Sequence, residues 1–239
     1  MIRLDKYIAD SGSLTRSQAS KAIRDGRVAV NGTVVRRPEQ KVDETRDSVL
    51  LDAVPVRYEA FHFYMLDKPA GILTASRDRT QKTVLDLFPP EIRKHGIFPV
   101  GRLDKETTGL LLLTDDGDTA HRILAPKSDI SKVYEARVDG ILTEEDMMRF
   151  REGLVLGDGT RCLPAGLKIL DGNRALVTVR EGKYHQVRRM LASVGKPVLE
   201  LRRLSVGGLS LDPGSEPGRF RALDEEDLCK LFMTVPLEK

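Results

Sequence analysis

The sequence predicts a mixed α+β protein in which a small helical and hairpin module precedes a larger domain built on a β-sheet. Two observations predict this class. Helical periodicity and a hairpin turn occupy the first 36 residues, whereas strand segments with helices between them dominate from residue 61 onward. A mixed-charge stretch that contains Pro55 separates the two parts. We therefore place a domain boundary between residues 58 and 59, which gives domains of residues 1–58 and 59–239.

The composition argues against a membrane protein, a secreted protein and a protein held together by disulfides or metal ions. The chain has 239 residues, of which 40% are hydrophobic and 31% charged, as in ordinary globular proteins. The charged N-terminus lacks the apolar core of a signal peptide, and no apolar run approaches a membrane span, so we expect a cytoplasmic protein without a membrane partner. Cys162 and Cys229 are 67 residues apart and the four histidines show no HxH or HxxxH spacing. We therefore expect no disulfide and no metal site.

Basic residues are concentrated in two stretches. Residues 1–41 hold nine basic and four acidic side chains, and residues 180–203 hold seven basic and two acidic ones, so each stretch carries a charge of +5. Such local excess on a chain of net charge +3 indicates a polyanionic partner, most simply a nucleic acid. The alternative is a pair of solvated faces without a partner.

The N-terminal module reads as helix, helix and hairpin. Leu4, Tyr7 and Ile8 fall at the i, i+3 and i+4 positions of a first helix. Thr15, followed three residues later by Gln18, forms a capping-box pattern that opens a second helix. The Asn-Gly pair at residues 31–32 lies between alternating residues and predicts a two-residue hairpin.

The same stretch resembles the S4-type RNA-binding module, first described in a protein of the small ribosomal subunit. The matching segments are RLDKYIADSG, TRSQASKAIRDGRV and VNG. The resemblance implies binding to structured RNA through phosphate contacts from a rigid helix. The cations that we expect to make these contacts in this module are Arg3, Arg16, Lys21, Arg24 and Arg27.

The larger domain alternates strand and helix signals. Strand candidates are the segments FHFYML, LLLLT, KVYEARV and ALVTV, and LLLLT ends at the turn-like sequence DDGD. Helices are predicted at LTEEDMMRFREG, where Thr143 can cap, and at YHQVRRMLASVG, where Gly195 ends the apolar stripe. We interpret Asp115, Asp116 and Asp118 as turn residues, because the pattern of a calcium loop fails there.

One acid has an unusual setting. Asp104 lies between Arg102 and Lys105, just before four leucines, in the segment PVGRLDKETTGLLLLTDDGD. It can be a solvated turn residue or a nucleophile. A nucleophilic carboxylate must stay ionised in a partly dry pocket, and a nearby arginine favours the ionised form by lowering the pKa of such a group. The lone acid suits a reaction in which the departing group is retained and reattached, so that no outside water is activated.

Several motifs of the larger domain resemble those of the RNA pseudouridine synthases. GRLDKETTGLLLLTDDGDTAHRI is similar to the catalytic signature of that family, and EGKYHQVRRMLASVG and VLELRRLSVGGL are similar to its two later motifs. Together with LDKPAG and SKVYEARV, the resemblance covers residues 60–223 in the expected order. It implies a catalytic domain with a mixed, mainly antiparallel β-sheet of the pseudouridine synthase type.

The resemblance also implies residue roles. Asp104 corresponds to the nucleophile that acts on the sugar or the base of a flipped uridine. Arg188 corresponds to its ion-pair partner, and Tyr134 to the aromatic residue that stacks on the target base. Leu201 corresponds to an apolar residue beneath the base, and Arg102 to a residue that fills or borders the vacated space. Phosphate contacts are expected from Arg202 and Arg203. Since the reaction involves no redox change and no group donor, no cofactor is expected.

The target remains open between two ribosomal RNAs. Tyr184-His185-Gln186 resembles the enzymes that modify one site in small-subunit RNA, whereas many large-subunit relatives carry Asn-Arg there. The alternatives are a large-subunit enzyme of the same chemistry and a non-catalytic RNA-binding or assembly factor. For His185 itself we predict a structural hydrogen bond. We expect a monomer whose partner is ribosomal RNA or a partly assembled small ribosomal subunit.

Overall fold

The chain is described by a computed structural model that covers residues 1–11, 13–56, 58 and 61–233. It forms two compact units, Met1–Phe61 and His62–Lys239. Residue 59, at the domain boundary expected from the sequence, lies outside the described ranges. No helix among the described residues has the length and apolar character needed to cross a membrane.

The first unit begins with two helices, as the sequence predicts: α1 (Leu4–Asp10) and α2 (Arg16–Arg24). The capping box at the start of α2 is confirmed, because the Gln18 backbone N–H donates to the Thr15 hydroxyl and the Thr15 N–H donates to the Gln18 side chain. Six short strands are also present: β1 (Ile2–Arg3), β2 (Val28–Val30), β3 (Thr33–Val34), β4 (Lys41–Val42), β5 (Val49–Leu51) and β6 (Val54–Val56).

The strands of this unit form two small antiparallel sheets, of order β3-β2-β5-β6 and β1-β4. The predicted hairpin joins β2 and β3, and Asn31 and Gly32 have φ values of 50° and 78°, as a type I′ turn requires. The buried side chains of both helices pack against buried residues from both sheets, and Leu4, Ile8 and Ile23 are fully buried. The predicted helix–helix–hairpin order is therefore confirmed, with two additional strands on the hairpin sheet.

The second unit is built on a nine-stranded sheet. Its strands are β7 (Phe63–Lys68), β8 (Phe98–Val100), β9 (Thr108–Thr114), β10 (Lys132–Val138), β11 (Gly166–Asp171), β12 (Arg174–Val179), β13 (Val198–Val206), β14 (Leu209–Ser210) and β15 (Phe220–Ala222). Its helices are α3 (Pro90–Arg93), α4 (Gly117–Leu124), α5 (Glu144–Glu152), α6 (Gln186–Ser193) and α7 (Glu225–Leu231).

The strand order is β11-β12-β10-β13-β9-β7-β15, with β14 on β13 and β8 on β9. Only β9 and β13 run parallel among the strand pairs that the structure describes. The predicted mixed, mainly antiparallel sheet is thus confirmed. Apolar side chains on the two sides of the sheet form the core of this unit, and Phe150 of α5 and Met190 of α6 are fully buried in it.

One sequence interpretation at the end of β9 is wrong. The sequence DDGD does more than turn the chain, because Asp116 accepts hydrogen bonds from the backbone N–H groups of Asp118 and Thr119 and thereby caps α4. Turn residues and N-cap residues are the same types, since both supply a side-chain oxygen to nearby backbone N–H groups. The helix was therefore hidden within an apparent turn.

The parallel contact between β9 and β13 depends on Gly109. This residue has φ +98°, and a Cβ placed on it would lie 2.2 Å from the backbone oxygen of Arg203. A side chain at this position would collide with the neighbouring strand. Glycine therefore lets β13 approach β9 at the point where β9 leaves the segment that contains Asp104.

Candidate active site

Asp104 lies in a tight turn between β8 and β9. The backbone N–H of Thr107 donates to the Asp104 carbonyl at 3.0 Å, which closes the turn. On the other side, the Thr74 hydroxyl donates to the Leu103 carbonyl at 2.7 Å and the Leu103 N–H lies 3.3 Å from the same hydroxyl. Because the backbone is fixed on both sides of Asp104, its side chain is held towards a cleft.

Lys68, the last residue of β7, holds the Asp104 turn through hydrogen bonds to backbone carbonyls. Its Nζ donates to the carbonyls of Pro69, Lys105 and Thr107 at 2.9, 2.9 and 3.0 Å. The side chain is fully buried. Burial lowers the pKa of Lys68 to about 8, against the opposing effects of Glu106 and Asp104. An ammonium group has three N–H donors, so the three carbonyls use all of them and tie β7 to the turn.

Two nitrogen-bearing side chains, one just before α6 and one in its first turn, face the Asp104 carboxylate. His185 Nε2 lies 3.3 Å from Oδ1, and Arg188 Nε lies 3.6 Å from Oδ2. Arg188 also reaches the Thr107 hydroxyl, with 3.4 Å between the two atoms. His185 precedes the first residue of α6 and has φ 47° and ψ 36°. Arg188 lies in the first turn of α6, and the left-handed backbone of His185 lies directly before that turn, so both side chains meet the same carboxylate.

The carboxylate borders a cleft of about 610 Å³ within the second unit. This volume suits a small organic group such as a nucleoside. The cleft brings together the predicted nucleophile, Asp104, and the four residues predicted for the base pocket, which are Arg102, Tyr134, Arg188 and Leu201. Asp104 keeps 32% of its side chain exposed, so it is accessible to a ligand.

The cleft walls come from adjacent strands. Tyr134 on β10 is half-buried and packs against two of the apolar clusters of this unit. Leu201 on β13 is buried, and its neighbour across the strands is Ala136 of β10. One aromatic ring and one aliphatic side chain thus line a cleft whose rim carries a carboxylate and cations. This combination holds a flat, polar ring by stacking and presents its edge to charged groups.

Arg202 and Arg203, for which we expected phosphate contacts, both have partners within the protein. Arg202 forms an ion pair with the buried Asp67 at 2.6 Å. Arg203 is buried, donates from Nε to the Leu110 carbonyl at 2.7 Å and lines the cleft. Both side chains therefore have internal partners, and in this structure they join β13 to β7 and β9.

A polar network around Gln186, a residue that the sequence marked only by its resemblance to the small-subunit enzymes, supports the loop before α6. Gln186 Nε2 donates to Glu181 Oε1 at 2.7 Å, and the Lys183 N–H donates to Gln186 Oε1 at 3.0 Å. Lys183 also pairs with Glu181. Next to this network, the exposed Tyr184 ring stacks on His185 with 3.8 Å between centroids. The network fixes the backbone that presents His185 to Asp104.

Two other contributors to the site lie in segments that carry the family resemblance, but the sequence assigned no role to either of them. Lys68 acts on backbone carbonyls 37 and 39 residues away, and backbone acceptors leave no pattern in a sequence. Thr107 was visible inside the signature segment but is a common residue type before a strand. The proximity of His185 to Asp104 was signalled only by its position three residues before Arg188.

The cations expected to bind RNA in the first unit have two kinds of surroundings. Arg3 and Arg16 lie 2.8 and 3.7 Å from Asp5, and Arg27 pairs with Asp52. Lys21 and Arg24, on the exposed face of α2, form no ion pair within the part of the chain that the structure describes. Their charges are therefore the most available of this set.

Metal-ligand chemistry is not concentrated in the cleft. Across the described residues, one group of three histidine or acidic side chains is close enough to share an ion, and it consists of His62, His95 and Asp115. None of these residues lines the cleft.

Comparison with known families divides the chain as the structure does. The sequence model of the family described as RNA pseudouridylate synthase matches residues 62–193, and that of the S4 domain matches residues 2–47. The first match includes the Asp104 turn, β10 and α6, and it contains every residue that lines the cleft except Leu201, Arg203 and Val206.

Similar proteins match over nearly their full length. An uncharacterized RNA pseudouridine synthase of Bacillus subtilis is 40% identical over 95% of this chain and 97% of its own. The ribosomal small subunit pseudouridine synthase A of Haemophilus influenzae is 37% identical over 96% of this chain and 99% of its own. A crystal structure of a pseudouridylate synthase superimposes with a TM-score of 0.68 at 36% identity, covering 97% of this chain and all of that one.

Proposed function

The chain belongs to the RNA pseudouridylate synthase family, and from this premise we propose that it converts one uridine of small-subunit ribosomal RNA to pseudouridine with Asp104 as nucleophile. As a member of this family, the protein is an enzyme that isomerises uridine in RNA. The small-subunit target is supported by relatives named ribosomal small subunit pseudouridine synthase A, which are 34–37% identical to this chain.

The observation that carries the assignment of Asp104 is its position at the cleft between His185 and Arg188. In the reaction, the bond between N1 of uracil and C1′ of ribose breaks and a bond between C5 and C1′ forms. C5 loses a proton and N1 gains one, so the product is an isomer of the substrate. A carboxylate held beside a guanidinium can attack a carbon of the nucleoside and be released again, and the balance requires no redox partner or donor.

The remaining cleft residues serve to hold the base. A stacked uridine must leave its helix to be reached, which costs a few kcal/mol. Stacking on an aromatic ring returns about 1–3 kcal/mol per base, and we assign that contact to Tyr134. Leu201 provides the apolar surface beneath the base. Arg102, exposed at the rim of the cleft, borders the space that the base leaves.

We assign RNA docking to residues 1–58 and catalysis to residues 59–239. The S4 match over residues 2–47 and the exposed cations Lys21 and Arg24 support the first assignment. The enzyme acts in this proposal as a cytoplasmic monomer on ribosomal RNA or on a partly assembled small subunit.

The test is an assay of pseudouridine formation with an Asp104→Asn variant. RNA labelled with tritium at C5 of uridine releases tritium only when C5 loses its proton. We expect release from small-subunit RNA, free or in a precursor particle, with the unaltered protein and none with Asp104→Asn. Asp118→Asn, which changes an exposed acid of α4, is the matched control and should keep full activity.

Two results would contradict the proposal. Turnover by Asp104→Asn would remove the nucleophile assignment, and release from large-subunit RNA alone would reassign the target. Mapping of pseudouridine in RNA from cells that lack the protein identifies the modified nucleotide independently.

A further inference from the structure

Three side chains with metal-binding chemistry meet at the end of β9 that is remote from Asp104. His62 immediately precedes β7, Asp115 immediately follows β9, and His95 lies in the loop before β8. The register explains the meeting, because Thr114 pairs with both Phe63 of β7 and Phe98 of β8. The ends of three neighbouring strands thus bring together residues that are far apart in the sequence.

The geometry suits one ion. One ligand atom from each of His62, His95 and Asp115 lies within 4.8 Å of the other two. Zinc–nitrogen and zinc–oxygen bonds of about 2.0–2.2 Å place tetrahedral ligand atoms roughly 3.3–3.6 Å apart. His62 Nδ1 and Asp115 Oδ2 are 2.7 Å apart, and the imidazole rings of His62 and His95 have centroids 3.9 Å apart. Binding of an ion therefore requires the His62 and Asp115 ligand atoms to move apart from their 2.7 Å contact, and it requires the His95 ligand atom to come to a similar distance from both.

The carboxylate is already oriented for this role. The backbone N–H of His62 donates to Asp115 Oδ1 at 2.6 Å, which fixes one oxygen and leaves the other facing the imidazole. Hydrogen bonds that hold a ligating carboxylate in this way are typical of metal sites. The side chains of His62 and Asp115 are 11% and 16% exposed, so the cluster is largely shielded but remains open to an entering ion and to water.

The donor set selects the metal. Magnesium and calcium prefer oxygen ligands, whereas two imidazoles with one carboxylate suit zinc and similar first-row ions. Three protein ligands leave a fourth position for water. Binding of zinc through His62 Nδ1 and Asp115 Oδ2 would replace the direct contact between these two atoms.

We propose that His62, His95 and Asp115 form a binding site for one zinc ion that fastens the ends of β7, β8 and β9. The seven residues of β9 separate this site from the Asp104 turn, a distance of roughly 24 Å at 3.4 Å per residue. An ion there acts on the stability of the sheet and does not reach the cleft. The proposal is independent of the assigned RNA target.

The test uses the full chain without an affinity tag, treated with chelator and dialysed. Zinc sulfate is titrated by calorimetry, and cobalt(II) chloride serves as a spectroscopic substitute whose visible absorption reports nitrogen and oxygen coordination. The same titrations are made with His95→Gln, His62→Gln and Asp115→Asn. His121→Gln, which alters an exposed histidine on α4, is the matched control.

We expect one equivalent of zinc to bind the unaltered protein and the His121→Gln variant with equal affinity. Removal of an outer partner of a metal ligand costs 10- to 100-fold in affinity, so loss of a ligand should cost about 100-fold or more in each of the other variants. Zinc should also raise the Tm of the unaltered protein and leave that of His95→Gln unchanged. Far-UV circular dichroism establishes that each variant is folded.

Equal zinc affinity in the unaltered protein and in His95→Gln would overturn the proposal, as would a loss of affinity in His121→Gln as large as in the ligand variants. In either case the cluster is a hydrogen-bonded group and not a zinc site. A failure of Asp104→Asn to lose activity would leave the zinc site untouched, so the two proposals fail separately.

Discussion

At the scale of single residues, Arg188 contacts two groups of the cleft, the Asp104 carboxylate and the Thr107 hydroxyl. Replacing Arg188 therefore tests whether it acts as the partner of Asp104. Its Nε lies 3.6 Å from the Asp104 carboxylate and its Nη2 3.4 Å from the Thr107 hydroxyl. Loss of a hydrogen-bonded charge costs about 1.5–3 kcal/mol, which corresponds to a rate decrease of roughly 10- to 150-fold. We predict this decrease in single-turnover rate for Arg188→Gln, with RNA affinity reduced less than about 3-fold because the contact is internal.

The control for this prediction is Arg174→Gln. Arg174 pairs with Asp171 beside the β11–β12 turn and does not line the cleft. Its replacement should change neither rate nor affinity. If Arg188→Gln lowered RNA affinity in proportion to the rate, Arg188 would be a phosphate contact instead of a partner of Asp104.

Lys68 predicts a pH dependence of stability. Its pKa is about 8 in the folded protein and has an ordinary value of 10.5. Between these pH values the unfolded chain carries the proton and the folded protein does not, so the free energy of unfolding rises with pH across this range. The Lys68→Met variant lacks this contribution. We therefore expect the stability difference between unaltered protein and Lys68→Met to grow from pH 8 to pH 10 and to stay constant from pH 6 to pH 7.

Urea unfolding at each pH measures this difference, with the exposed Lys105→Met as control. Lys105→Met should follow the unaltered protein at every pH. A constant difference between unaltered protein and Lys68→Met across the whole range would show that Lys68 keeps its proton while buried.

At the scale of elements, Gly109 permits the close approach of β13 to β9 beside the turn that carries Asp104. A methyl group there meets the Arg203 carbonyl, and φ is +98°. Overpacking costs 1–3 kcal/mol and an unfavourable left-handed conformation about 1–2 kcal/mol. We predict that Gly109→Ala is destabilised by about 3 kcal/mol, which lowers Tm by roughly 6–12 °C for a domain of this size. Gly172→Ala, with no atom within 4 Å of the added carbon, should leave Tm within about 2 °C.

Differential scanning calorimetry of both variants tests this prediction. Activity measured well below Tm should also fall in Gly109→Ala, because the shift of β9 moves the turn that carries Asp104. An unchanged Tm would mean that β13 separates from β9 without cost, which contradicts the close approach of the two strands.

Elements with a local cause were predictable from the sequence. The strand KVYEARV coincides with β10, and Thr143 caps α5 where the sequence placed the helix. α4 was missed because Asp116 could equally belong to a turn. The parallel pairing of β9 with β13 was also beyond reach, since the sequence marks Gly109 as a glycine but not the strand that approaches it.

At the scale of the whole molecule, the order of the two parts and the mixed α+β class were predictable, whereas contacts between distant segments were not. The cleft combines β8, β10, β13 and α6 with the Asp104 turn. The family resemblance nominated the side chains that these elements contribute, but the three carbonyls that hold Lys68 leave no sequence signal. The histidine cluster shows the same limit, because His62, His95 and Asp115 have no metal-binding spacing and meet only through strand register.

The exposed cations of α2 are the groups of the first unit that we expect to bind RNA phosphates. Because Lys21 and Arg24 lie on one exposed helix and are not neutralised by described acidic side chains, we expect the double variant Lys21→Glu, Arg24→Glu to bind ribosomal RNA roughly 10-fold or more weakly. Each phosphate contact contributes about 0.7–0.9 to the slope of log affinity against log salt, so the slope should fall by about 1.5. Arg149→Glu with Arg151→Glu makes the same charge change on the nine-residue helix α5 and should preserve both affinity and slope. Filter binding from 50 to 300 mM salt measures both quantities. Equal losses in the two double variants would mean that RNA responds to net charge alone, and then α2 could not be the docking surface.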